Sequence, residues 1–220
     1  RIMRAVRFSA QLGYTIEEKT KLAIKELAPT LKNISAERIQ VELVKLLLSD
    51  HPEEMRTAYE LGITKVILPE FDECMTTEQN NIHHAYNVGE HTIRALMVNA
   101  EFSGVEFGAD TLRYIRYAIL FHDFGKPEAM SEDENGGGHF KGHAVISERI
   151  AKSVMKRLKL DNDTIDTITA LEYDFWNNHV LKGIPPVVSD KDSELLNSLY
   201  PKSNSATAIL PTEADEIINE

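Results

Sequence analysis

The segment Phe121-His122-Asp123-Phe124-Gly125-Lys126-Pro127 joins an imidazole directly to a carboxylate, just after the apolar run Ala118-Ile119-Leu120-Phe121. Gly125 and Pro127 then stop a helix. Adjacent helical residues point about 100° apart, so His122 and Asp123 can reach one point only if it lies beside a helix end. A divalent metal is such a point. Imidazole nitrogen with carboxylate oxygen suits Mn, Fe, Ni, Zn or Mg. Further ligand types flank the pair. His91 lies upstream in Val88-Gly89-Glu90-His91-Thr92, His139 and His143 lie downstream four residues apart, and Asp174 follows a further helix-length segment. The competing reading is a structural histidine cluster with no ion.

Short amphipathic helices with short connections have to position these groups, which makes the chain all-α. Arg1 to Leu12 reads as a helix ended by Gly13, with Arg1, Arg4 and Arg7 on one face and Ile2, Ala5, Val6 and Leu12 opposite. Three arginines on a face suit phosphate clamping or plain solvation. Glu17 to Ala28 is a second helix. A third opens at Ser35 with Ile39, Leu43, Leu46 and Leu47 in helical period, and a fourth runs from Pro52 to Gly62. Ile63 to Leu68 is a short apolar segment, and residues 70–82 read as a polar linker. Tyr86 to Ala100 carries His91 with Val88, Ala95 and Leu96 toward the core, and Leu112 to Phe121 delivers His122 and Asp123. Gly104 to Gly108 is a loop, and Ser131 to Gly138 is an acidic, glycine-rich loop over the site mouth. His143 to Leu160 is a helix with Val145, Ile146, Ile150, Val154 and Leu158 inward, so His139 reaches in from the loop. Asp161 to Trp176 is a further helix, and Asp190 to Leu199 a last one.

The net charge of −11 argues against a uniformly basic nucleic-acid binder. The average hides an asymmetry: residues 1–50 hold nine Lys/Arg against six Asp/Glu, and the remainder fifteen against twenty-nine. A more basic N-terminal end precedes an acidic body. The single cysteine, Cys74, rules out an internal disulfide and points to a reducing, cytoplasmic setting. No apolar run reaches membrane-spanning length. The chain opens on Arg1 in what reads as helix interior, so it is expected to be part of a longer or processed protein.

The order His91, His122-Asp123, His139, His143, Asp174 resembles the HD superfamily of metal-dependent phosphohydrolases. By position His91, His122 and Asp123 match its first three ligands and His139 and His143 its additional histidines. The last ligand would be Asp174 or a close neighbour, since Tyr173 stands where the family commonly has His, and His179 lies near. His84, in the His83-His84 pair, would be a substrate-side residue. Lys126 would reach a non-bridging phosphate oxygen.

A second resemblance covers about residues 1–50. Arg1-Ile2-Met3-Arg4-Ala5-Val6-Arg7-Phe8, Gln11-Leu12-Gly13-Tyr14 and Ile34-Ser35-Ala36-Glu37-Arg38 with Glu42-Leu43 are similar to the neck of bacterial tRNA nucleotidyltransferases, the CCA-adding and poly(A) polymerase family. The resemblance implies that Arg1 pairs with the incoming nucleotide, and that Arg4, Arg7 and Arg38 serve the nucleotide or the RNA end. Many members carry an HD domain after the neck. The implied division is residues 1–69 for the neck, 70–180 for the HD domain and 181–220 for an unassigned tail. Nothing matches the family's catalytic head, so the chain is not expected to transfer nucleotides by itself. The implied activity is divalent-metal hydrolysis of phosphomonoesters or 2′,3′-cyclic phosphodiesters, with tRNA or a nucleotide phosphate ester as partner. The alternatives are a degenerate HD scaffold that binds tRNA, and an HD nucleotidase acting on free nucleotides.

Overall fold

The computed structural model describes residues 1–79, 86–101, 108–132 and 138–174. The chain is all-α. Its helices are α1 (Ile2–Leu12), α2 (Glu18–Leu27), α3 (Ala36–Leu47), α4 (Glu54–Glu60), α5 (Thr64–Ile67), α6 (Pro69–Thr76), α7 (Val88–Glu101), α8 (Ala109–Phe121), α9 (Lys126–Ala129), α10 (His143–Arg157) and α11 (Asn162–Asp174), with a 3-10 turn over Ala28–Asn33. The only strands among the described residues are β1 (Ser131–Glu132) and β2 (Gly138–His139), which pair antiparallel.

Local chemistry explains the breaks. Gly13 stops α1 at φ +67, and its N–H bonds to Ser9 O at 2.8 Å. Ser9 Oγ caps the same turn by donating to Tyr14 O. Gly62 at φ +70 follows α4. Asn87 Oδ1 accepts from Glu90 N at 2.7 Å and so caps α7. Asp161 Oδ1 accepts from Thr164 N at 2.8 Å and caps α11.

Helix α1 packs on α3 and α4 through Met3, Val6, Ala10, Leu43, Leu46 and Met55. Next to this group, α6, α7, α8, α10 and α11 enclose Phe71, Ile93, Leu96, Tyr117, Leu120, Phe121, Val154, Met155 and Ile168 in the same continuous core. Two bidentate arginine clamps tie distant elements: Arg56 to Glu90 between α4 and α7 (3.1 and 2.5 Å), and Arg157 to Glu70 between α10 and α6 (both 2.7 Å).

Three sequence expectations need correction. The stretch read as a polar linker from residue 70 forms α6, because Phe71 and Cys74, three apart, share one fully buried face, while Glu73 is exposed and Glu70 pairs with Arg157. Proline at the first turn starts that helix, since its missing N–H has no intrahelical partner to lose there. Leu12 is exposed rather than on the core side of α1, and the buried stripe runs through Met3, Val6 and Ala10 instead. Val145 is also exposed, because the inward face of α10 is set by Ser147, Ala151, Val154 and Leu158. The loop over 104–107, most of the acidic glycine-rich stretch, and everything from Phe175 onward lie outside the described residues. With them go the expected helix at 190–199, His179 and the tail.

Candidate metal centre

Helix α8 ends at Phe121, and the chain turns through His122 to Gly125 before α9. That turn sets both groups of the His-Asp pair beside a helix end. Gly125 is needed there: its N–H donates to Ser147 Oγ at 2.8 Å, and a Cβ would lie 2.5 Å from Ser147 N and 2.9 Å from Ile146 Cβ. Helix α10 therefore sits flush on the turn. On the other side Gly89 lets α7 approach α6, since a Cβ would lie 2.5 Å from Met75 Sδ and 2.8 Å from Met75 N. Close approach at these two glycines brings His91 and the His-Asp pair together.

His91, His122 and Asp123 are all buried, and one ligand atom from each lies within 4.8 Å of the others. Asp123 Oδ2 is 3.0 Å from His122 Nε2, 3.9 Å from His91 Nε2 and 2.8 Å from Lys126 Nζ. His143 Nε2 stands 3.5 Å from Oδ1. Lys126 Nζ and His122 Nε2 are close to Oδ2, yet no hydrogen bond of acceptable angle reaches it. Oδ2 thus has an ammonium and an imidazole nitrogen close by without a well-directed donor. Burial by itself raises the Asp123 pKa, but His122, Lys126 and His91 more than offset it and hold the carboxyl well below the usual carboxylate range.

The donor set fits a divalent ion. His122 Nδ1 lies 2.7 Å from Ile119 O, and a carbonyl can only accept, so Nδ1 carries the hydrogen. In the neutral ring the lone pair is then on Nε2, 3.0 Å from a carboxylate oxygen. Two lone pairs at that separation repel unless a cation sits against both or the ring is protonated. The Nδ1-to-carbonyl bond is also the outer contact that orients metal-ligating histidines. His143 repeats the pattern, with Nδ1 at 2.8 Å from Phe140 O, and burial lowers its pKa and favours the neutral ring.

The sequence-derived set thus divides. His91, His122 and Asp123 form one cluster, and His143 joins at its edge. His139 lies in β2, is exposed, and is outside the three-residue cluster; α10 begins only at His143, after Gly142 at φ +82. Asp174 closes α11, and its side chain lies outside the described residues, as do His83 and His84. Lys126 directs its ammonium to Asp123 and to Gln79 Oε1 at 2.8 Å, not outward. Of the four arginines, Arg1, Arg4 and Arg38 are exposed. Arg7 is buried, with Nε 2.7 Å from Glu42 Oε2, Nη1 2.5 Å from Gln11 Oε1 and its guanidinium 3.9 Å from the Phe8 ring centre. Its charge is committed inside the α1–α3 contact.

Sequence reasoning missed Gln79, Ser147 and Cys74. Gln79 is 1% exposed and bridges Lys126 to Tyr86 O. Cys74 packs its sulfur 3.8 Å from Asp123 O, and burial pushes its thiol well up, so it stays protonated. Only the spacing of Ser147 four residues after His143, on the face that meets the turn, could have signalled it.

Comparisons with known proteins agree with this geometry. Residues 82–219 match the family model described as HD domain, and residues 13–75 match the one described as probable RNA and SrmB-binding site of polymerase A. The A-adding tRNA nucleotidyltransferase of Deinococcus radiodurans is 33% identical over 178 residues, covering 78% of this chain and 40% of that protein. The CC-adding tRNA nucleotidyltransferase of Thermus thermophilus is 30% identical over 178 residues, with the same two shares of 78% and 40%. A multifunctional CCA protein of Vibrio cholerae is 28% identical over 222 residues, covering 98% of this chain and 53% of that protein. The chain thus spans about half or less of the length of these relatives. The resemblance to tRNA nucleotidyltransferases seen in the sequence is borne out, and the chain belongs to the HD-domain family, with a polymerase A-type helical segment ahead of the domain.

Proposed function

We propose that this chain is the neck and HD portion of a tRNA nucleotidyltransferase-related protein that acts at tRNA 3′ ends. In this reading the HD portion hydrolyses phosphomonoesters or 2′,3′-cyclic phosphodiesters with a divalent metal. The observation that carries it is the buried His91, His122 and Asp123 cluster, whose ligand atoms lie within 4.8 Å of one another. These three residues would hold the ion, with Asp174 or a neighbour as the fourth ligand. A bound divalent ion supplies Lewis acidity toward a phosphoryl oxygen and lowers the pKa of water.

The remaining work falls to the chain's own groups. His143 has a 30% exposed side chain, against 8% for His91 and 4% for His122, so it is the imidazole a substrate phosphate meets at the edge of the centre. Its neutral Nε2 is placed to take or return a proton. Lys126 balances the Asp123 charge from within, and Phe140, with its ring centre 5.5 Å from Lys126 Nζ, forms apolar wall. On the neck, exposed Arg1, Arg4 and Arg38 are available to phosphates, whereas Arg7 orients α1 against α3.

The test is hydrolysis of a 2′,3′-cyclic nucleotide by chelator-treated protein with Mn or Ni restored, comparing wild type with His122→Ala. Metal-dependent turnover that the substitution abolishes is the expected result. No turnover in any divalent ion would leave the second reading, an RNA-binding body on an inactive HD scaffold. The match of residues 13–75 to a probable RNA-binding segment favours that version. Turnover of free mononucleotides alone, without tRNA binding, would instead indicate a nucleotidase.

A further inference from the structure

Lys126 and a metal ion at this centre have a claim on the same atom. The lysine is buried, 7% exposed, with Nζ 2.8 Å from Asp123 Oδ2. That oxygen is also 3.0 Å from His122 Nε2 and 3.9 Å from His91 Nε2, so it is where a carboxylate ligand and two imidazole ligands converge. Two cations on one carboxylate oxygen in a buried site repel strongly. The ammonium has a second seat, because Nζ also donates to Gln79 Oε1 at 2.8 Å. Chemistry fixes the orientation of that amide. Gln79 Nε2 donates to Tyr86 O at 3.1 Å, a carbonyl that only accepts, so Oε1 must face the ammonium, which only donates. Gln79 is itself 1% exposed, and its amide cannot turn to water without losing both bonds.

We infer that Lys126 is a built-in counter-ion that competes with the metal for Asp123, and that Gln79 is the positioning residue that holds the ammonium aside when metal binds. The inference rests on the divalent-metal reading of the centre. It predicts effects of opposite sign from two neighbours. Removing the ammonium frees Oδ2 and tightens metal binding, whereas removing the Gln79 acceptor leaves the ammonium only Asp123 and weakens it. A role confined to packing would weaken binding in both cases.

The experiment is calorimetric titration of Mn²⁺ into the chelator-stripped chain, for wild type, Lys126→Met, Gln79→Met and the double variant. Lys126→Met should bind roughly tenfold tighter than wild type, a size usual for coupling between two binding events. Gln79→Met should bind several-fold weaker, and the double variant should follow Lys126→Met because no ammonium remains to be held. If wild type binds Mn²⁺ and Lys126→Met binds no tighter, the counter-ion role is overturned while the metal reading stands. If Lys126→Met does not fold, Gln79→Met decides alone, and unchanged affinity there overturns the proposal. If no variant binds Mn²⁺, the metal reading fails and this inference fails with it.

Discussion

Asp123 Oδ2 lies within 4 Å of three side-chain nitrogens, from His122, His91 and Lys126, and tight packing around the turn from His122 to Gly125 brings them there. The smallest residue does much of it. Gly125→Ala would place a Cβ 2.5 Å from Ser147 N and 2.9 Å from Ile146 Cβ, closer than real Cβ contacts come, and the nearer obstacle is backbone that cannot swing away. The expected cost is about 2 kcal/mol, typical of an overpacked core. A urea denaturation midpoint reads it, and an unchanged midpoint would mean that α10 does not press on the turn. His122 and Asp123 were legible in the sequence because two ligand types stand side by side before a helix stop. Gln79 was not, since an uncharged amide in a polar stretch joins the site only through burial and through partners 47 and 7 residues away.

At the scale of elements, the helices carrying the pair and His91 followed from period and capping chemistry, and α7 and α8 fall within a few residues of where pattern placed them. Helix α6 was missed because its acidic residues dominate the composition while Phe71 and Cys74 alone hold its buried face. The phase of α10 was misjudged because Ser147 is a polar residue on the inward face, bound to the Gly125 amide. Capping gives this scale a pH test. The Asp161 side chain accepts from Thr164 N and Thr164 Oγ1, both at 2.8 Å, and the Thr164 backbone bond, with the hydroxyl second, lowers its pKa. A carboxyl depressed in the folded state stabilises above its unfolded pKa of about 3.9, and that contribution is lost as pH falls through the folded value. Asp161→Asn keeps a capping amide oxygen that does not titrate. The variant should show a shallower fall in melting temperature than wild type between about pH 5 and pH 2. Parallel curves would assign the acid sensitivity elsewhere.

Across the whole molecule, charge separates the two ends of the chain. Residues 1–50 carry a cationic excess inside a chain of net charge −11, and exposed Arg4 and Arg38 belong to that basic end. RNA held there through phosphates should bind with a salt dependence that falls by about one in log–log slope for each arginine removed. Arg4→Gln with Arg38→Gln should therefore lower the slope for tRNA by about two, whereas Arg7→Gln should chiefly lower stability, because that guanidinium is paired with Glu42. A slope unchanged by the double substitution would place RNA on another surface. Among the described residues no helix is long and apolar enough to cross a membrane.

The proposed hydrolysis depends on a divalent ion held by the buried His91, His122 and Asp123 cluster. Elemental analysis of untagged protein, wild type beside His122→Ala, tests it most directly. Stoichiometric divalent metal in the wild type, lost in a variant that still folds, is the predicted result. No bound metal in the wild type, even after incubation with Mn or Ni, would contradict the claim and leave the cluster as a structural knot of histidines around an aspartate.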